Sequence, residues 1–232
     1  VTTVVVGGYA ARAAARAEWQ SREAAAASKS QGGFRAASPE AASAARARAQ
    51  SPAAEAARLR REMGAPRHVV CVLGGTALQD DCSEALVQAL ARDLAAGLGP
   101  EVAFVTGGLP GVQRVFADHC GDGSRLWNLL PRAESSGYAV GRDVHAGADL
   151  AERKEVFGQL GDVYVTVEGG PGVAQECRAA AARGAAIVPL MRSGGASAGM
   201  FEFPPEALQR PAFATQEQWE LLSSTSAAVA VS

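Results

Sequence analysis

From residue 68 onward, apolar and polar positions fall into blocks that predict strands and helices in turn. HVVCVLGG is a short, β-branched apolar run ending in two glycines, and EVAFVTGG repeats that form. Between them, residues 83–96 carry leucines and valines at helical spacing and stop at Gly97. SRLWNLLP predicts a third strand ending at Pro131, and residues 111–120 and 148–160 predict helices. DVYVTV and AAIVPL predict two more core strands, on either side of a helix over 171–183 with Gly184 past its end. The strand cores are expected at 69–73, 102–105, 126–129, 163–167 and 187–190. Residues 132–148, with Gly137, Gly141 and Gly147, predict an irregular segment. Thr215, with Gln218 three residues on, is a capping-box signature for a last helix. Strands that are apolar throughout and alternate with helices imply a parallel sheet covered on both faces. The expected fold is therefore α/β, a doubly wound parallel sheet in a single domain over residues 68–232.

Residues 1–67 follow another pattern. They are rich in Ala, Ser, Arg and Gln, and their Ala-rich runs have helix propensity without a continuous apolar stripe. VTTVVVGG reads as a strand with no partner nearby. The expectation is a loose or partly helical extension that contributes few contacts over residues 1–60. An organelle transit segment, Arg- and Ser-containing and poor in acids, is the alternative, and a basic nucleic-acid-binding tail is a third. The chain opens on Val rather than Met, as expected of a fragment or a processed product.

The 232 residues carry a net charge of -2, and that small figure hides an asymmetry. Residues 1–67 hold ten Arg and one Lys against five Glu, so the remainder is acidic, which argues against a nucleic-acid groove there. No stretch reaches the roughly 18 apolar residues of a membrane span. Cys71, Cys82, Cys120 and Cys177 form no C-x-x-C pair and no metal spacing. They read as reduced thiols, with Cys71 and Cys177 buried, in keeping with a cytoplasmic setting. No metal and no resident cofactor is expected.

Three predicted strands end in glycine pairs: Gly74-Gly75 followed by Thr76, Gly107-Gly108, and Gly169-Gly170. In a doubly wound sheet, ligands bind at the carboxyl ends of the strands. A strand-to-helix turn there gathers backbone N–H groups at a helix N-terminus, a site for an anion such as phosphate. Pro171 suits the first helical position, and the N–H groups of Gly170, Gly172 and Val173 are the expected phosphate donors. A glycine in a tight turn also has a purely structural use. Neither G-x-G-x-x-G nor G-K-[ST] occurs at these turns, which disfavours NAD binding and ATP hydrolysis.

EGGPGVAQE, residues 168–176, resembles the P-G-G-x-G-T-x-x-E motif of the LONELY GUY proteins, once labelled lysine decarboxylase-like. LAERKEVFGQLGDVYVTV is similar to that family's M-H-x-R-K segment and the strand after it, and VTGGLPGVQ to its G-G-G-x-x-G-L-M turn. The resemblance covers about residues 68–192. It implies a Rossmann-like nucleotide-binding fold, usually a homodimer, that releases a base, cytokinin in the plant type, from a nucleoside 5′-monophosphate. Other members of the wider superfamily only bind nucleotides or carry a cofactor, which leaves a non-catalytic sensor or carrier as the alternative. Three positions depart from the pattern: Glu168 stands for Pro, Val173 for Thr and Ala151 for His.

Cleavage of an N-glycosidic bond develops positive charge on the ribose. A carboxylate near the ribose stabilises that charge or steers a water, and a cation holds the phosphate or assists the departing base. In this reading Glu176 and Arg153 are the catalytic pair. Lys154 joins Gly74, Gly75, Thr76, Gly107, Gly108, Gly169, Gly170, Gly172 and Val173 in holding the substrate. The helix dipole alone also favours a glutamate early in a helix. His119 and His145 have no informative partners and read as structural. Residues 132–148, with Ser135, Ser136, Arg142 and Asp143, are expected to cover the pocket.

Overall fold

A computed structural model describes residues 6–8, 51–79 and 81–223. Among these, six strands form one sheet: β1 (His68–Gly74), β2 (Val102–Thr106), β3 (Leu126–Leu130), β4 (Arg142–His145), β5 (Val163–Val167) and β6 (Ala186–Leu190). The order across the sheet is β4-β3-β2-β1-β5-β6, and every pairing is parallel. The helices are α1 (Pro52–Glu62), α2 (Asp81–Gly97), α3 (Val112–His119), α4 (Leu150–Leu160), α5 (Pro171–Ala182) and α6 (Gln216–Ser223). The doubly wound α/β fold expected from the block pattern is the fold observed.

The sheet sorts alternate side chains to two cores, as the period of a strand requires. Val70, Val72, Phe104, Val163 and Val165 face α2, α3 and α6, joined by Val87, Leu94, Phe116 and Trp219. Val69, Cys71, Leu73, Val105 and Tyr164 face α1, α4 and α5, joined by Leu59, Phe157, Ala174 and Cys177. Both faces being covered is why the strands read as unbroken apolar runs. Thr215 and Gln218 exchange the two hydrogen bonds of a capping box at the start of α6, as expected.

Two regions differ from the sequence expectation. Residues 142–145 form β4 rather than irregular chain. Of R-D-V-H only Val144 is buried, because an edge strand needs no continuous apolar run. The expectation of few contacts from residues 1–60 fails over α1. Ser51 caps that helix through its Oγ, Ala56 and Leu59 are buried against the domain, and Arg60 makes a two-pronged ion pair with Asp162 at 2.8 and 3.0 Å. Residues 6–8 are helical rather than extended, and Val6 is buried in the core; residues 1–5 of the predicted first strand lie outside the described residues. The Ala-rich helix α5 packs closely on α4. A methyl group built on Gly158 of α4 would lie 2.7 Å from the Ala179 Cβ, so the two helices pack backbone to backbone.

The strand order reverses between β1 and β5. From β1 the chain proceeds outward to β2 on one side, while β5 leads to β6 on the other. The crevice beyond the carboxyl ends of these two neighbours is where a doubly wound sheet binds its ligand. It is bordered by Gly75 and Thr76 on one side and by Glu168, Gly169 and Gly170 on the other.

Candidate functional site

Of the three glycine-ended strands, only β5 runs almost directly into a helix. Gly170 is the N-cap of α5, Pro171 occupies the first turn, and no side chain caps the helix. The first N–H groups of a helix have no partner within it, so those of Gly172 and Val173 remain for a ligand. The Lys154 Nζ lies beside them, 3.3 Å from a methyl group built on Gly172. Val173 turns its side chain into the core, so it offers only its N–H.

The other two turns are occupied by the chain itself. After β2, the Gly107 and Leu109 N–H groups both donate to Gln113 Oε1, at 2.7 and 3.3 Å, and the Gly108 N–H donates to Thr106 Oγ1. The expected phosphate donors Gly107 and Gly108 are thus already satisfied. Their lack of side chains has other causes. A methyl group on Gly107 would fall 1.5 Å from Arg153 Nη2, and Gly108 has a φ of 66°. After β1, Gly74 is bare because Val112 of α3 packs 2.4 Å from its would-be Cβ. Gly75 accepts the Val112 N–H through its carbonyl, and Thr76 is exposed on the loop that leads away to α2.

Beneath the turns, Arg153 of α4 and Glu176 of α5 meet. Nη1 of Arg153 donates to Glu176 Oε1 at 2.7 Å, its Nε donates to the Leu129 carbonyl, and its guanidinium stacks over the Phe157 ring. Arg153 is 1% and Glu176 5% exposed, and Arg153 Nη2 is buried with no acceptor. Burial pushes the Glu176 carboxyl up to about 7, against the opposing pull of Arg153 and Lys154. Burial likewise lowers the Arg153 guanidinium from its ordinary value, and Glu176 draws it back up. A guanidinium keeps its proton even so. A carboxyl poised near neutrality beside a cation can pass a proton at physiological pH.

Residues 135–138 fold over the β2 turn. Asp143 holds them by accepting from the Ser136 N–H and hydroxyl and from the Ser135 hydroxyl, at 2.7–3.0 Å. Burial of Asp143 opposes its ionisation, but these donors and Asn128 outweigh it and hold the carboxyl below its usual range. The Tyr138 hydroxyl donates to the Leu109 carbonyl, and the Ser136 Cβ lies 3.1 Å from a methyl group built on Gly108. His145 reaches the Glu134 carbonyl and His119 the Val115 carbonyl, both local contacts.

Three residues absent from the sequence reading complete the site. Gln113 fills the β2 turn. Ser193 accepts the Glu168 N–H through its Oγ, and Ser197 donates its N–H to the Glu168 carbonyl. The loop after β6 thus grips the β5 turn. Nothing in a Gly/Ser-rich loop marks such partners in advance. Glu168 has a φ of 53°, a left-handed conformation that costs a non-glycine residue about 1–2 kcal/mol.

A cavity of about 430 Å³, lined by Arg92, Phe104, His119 and Arg125 among others, lies toward the amino end of β3, away from these turns. The buried thiols of Cys71 and Cys177 are pushed well up by desolvation and are unreactive packing groups. Among the described residues, no cluster of His, Cys, Asp and Glu is placed to hold a metal, and no helix is long and apolar enough to cross a membrane.

No protein-family model matches this chain, and no curated protein does. Solved structures similar to it include the structural-genomics target TM1055, at 24% identity over 56% of this chain and 78% of that one, with a TM-score of 0.48. DNA processing protein A from Helicobacter pylori, described by its single-stranded DNA binding mode, is similar at 15% identity over 55% and 66%, with a TM-score of 0.44. The Moco carrier protein from Chlamydomonas reinhardtii is similar at 21% identity over 52% and 74%, with a TM-score of 0.42. At these scores the likenesses assign no activity, and function rests on the geometry of the site.

Proposed function

We propose that the protein binds a nucleoside 5′-monophosphate at the β5–α5 turn and hydrolyses its N-glycosidic bond. The observation that carries this reading is the buried Arg153–Glu176 pair under an uncapped helix N-terminus, with Arg153 Nη2 lacking an acceptor. The 5′-phosphate lies on the N–H groups of Gly172 and Val173, with Lys154 adding charge. The ribose then extends toward Glu176, about one helical turn into α5. As the C1′–N bond breaks, its electron pair stays with the base and C1′ becomes cationic. The Glu176 carboxylate stabilises that charge and takes the proton of the water whose oxygen bonds to C1′. The departing base receives that proton, and Arg153 Nη2 supplies a hydrogen bond to substrate. A homodimer belongs to this reading and is tested by sedimentation at micromolar concentration, where a stable monomer contradicts it.

A second reading is a nucleotide-binding protein without catalysis, and one observation favours it. Arg153 and Glu176 neutralise each other while almost wholly buried, as a purely structural pair also does. Incubation with a panel of nucleoside monophosphates, cytokinin forms included, separates the two. Free base from any of them supports hydrolysis. Binding with no base released from the whole panel supports the second reading.

A further inference from the structure

Glu168 combines three unusual features. Its backbone is left-handed, with a φ of 53°. It is 1% exposed, at the turn that borders the crevice between β1 and β5. One carboxylate oxygen, Oε1, accepts the Gln79 N–H at 3.1 Å, while the other, Oε2, is buried with no hydrogen-bond donor. A methyl group built on Gly75 would lie 3.0 Å from that Oε2, so the carboxylate reaches from the β5 turn to the loop after β1. The Ser193 Oγ and the Ser197 N–H hold the Glu168 backbone in this pose. Strain and an unsatisfied buried acceptor in a single residue mark a position kept for function.

We infer that Glu168 is a specificity-determining residue that limits the ligand to a single phosphate, an inference that rests on phosphate binding at the β5–α5 turn. The chain places its own anion between the β5 turn and the loop after β1, beside the phosphate site, where the charge of a second phosphate would meet it. A phosphate offers acceptors and negative charge, and Oε2 can accommodate neither. Repulsion between unit charges several ångströms apart in a partly buried site amounts to tenfold or more in affinity, on the order of one such factor per added charge.

The test is calorimetric titration of the full chain and of Glu168→Gln with AMP, ADP, GMP and GDP. For the unmutated protein, each monophosphate is expected to bind at least about tenfold more tightly than its diphosphate. In Glu168→Gln, which keeps the shape and removes the charge, the diphosphate should come within about threefold of the monophosphate. Glu168→Gly, whose backbone favours this φ, should do the same and covers the case in which the glutamine variant misfolds. Equal affinity for mono- and diphosphates in the unmutated protein, or an unchanged ratio in both variants, overturns the inference. Base release bears on a different question. Discrimination with no base released from the whole monophosphate panel keeps this role for Glu168 and ends the hydrolase reading. Base release without discrimination does the reverse, and a protein that binds none of the four loses both.

Discussion

Gly170→Val tests the phosphate site with little disturbance to the fold. At Gly170 the backbone is extended, with φ -112° and ψ -158°, so no left-handed conformation demands glycine. A Cβ built there meets nothing within 4 Å. The new Cβ therefore meets no clash, and the effect on stability should stay within about 1 kcal/mol. The new side chain would nonetheless stand at the mouth of the N–H nest. Displacing a phosphate from two backbone N–H groups forfeits charge-assisted hydrogen bonds of about 1.5–3 kcal/mol each. The expected loss of affinity is thus at least about a hundredfold. Gly169→Val is the contrast. Its φ is 92° and its Cβ would lie 2.7 Å from Val173, so that variant should lose stability as well as binding. Calorimetric titration with a nucleoside monophosphate, alongside thermal melts, reads both quantities. A Gly170→Val protein that melts normally and binds the nucleotide as tightly as the unmutated chain would refute the placement of the phosphate.

Glu176→Gln should keep nucleotide binding and slow base release by on the order of a hundredfold or more, measured as kcat, because the carboxylate acts mainly as charge develops. Full activity in that variant would remove Glu176 from catalysis. The same residue sets a pH dependence. Folded Glu176 holds its proton up to about 7 against an ordinary value of 4.5, so between these limits the native state binds the extra proton. Its contribution to stability is complete below pH 4.5, falls as pH rises to about 7 and is level above that. Melting temperature across this range should slope less in Glu176→Gln, and identical slopes would contradict the shift. Leu59→Ala should cost about 2–5 kcal/mol, since the side chain is wholly buried where α1 docks. A melting temperature unchanged by it would show that α1 does not dock.

The sequence alone was enough to specify five of the six strands. β1, β2, β3, β5 and β6 are covered on both faces, so each is a continuous apolar run visible without tertiary information. The spacing Glu-Gly-Gly-Pro-Gly also announced the strand-to-helix turn at α5, because proline fixes its own φ for a first helical turn and glycine admits the backbone conformations a tight turn needs. β4 and α1 were not legible for the opposite reason. R-D-V-H buries a single valine, and α1 docks through a few residues such as Ala56 and Leu59, too few to stand out in an Ala-rich stretch. The site was half legible. Arg153 and Glu176 were singled out by residue type and spacing, but their pairing depends on the packing of α4 against α5 across 23 residues of chain. The glycines show the division most clearly. Each looks alike in sequence, yet Gly74 makes room for Val112, Gly107 for Arg153, and Gly170 for nothing in the chain itself. Which of them leaves space for a ligand, and that Glu168 would reach the loop after β1, depends on atoms brought close from distant parts of the sequence. Local preferences cannot encode those distances; only the folded sheet, with its fixed strand order, determines them.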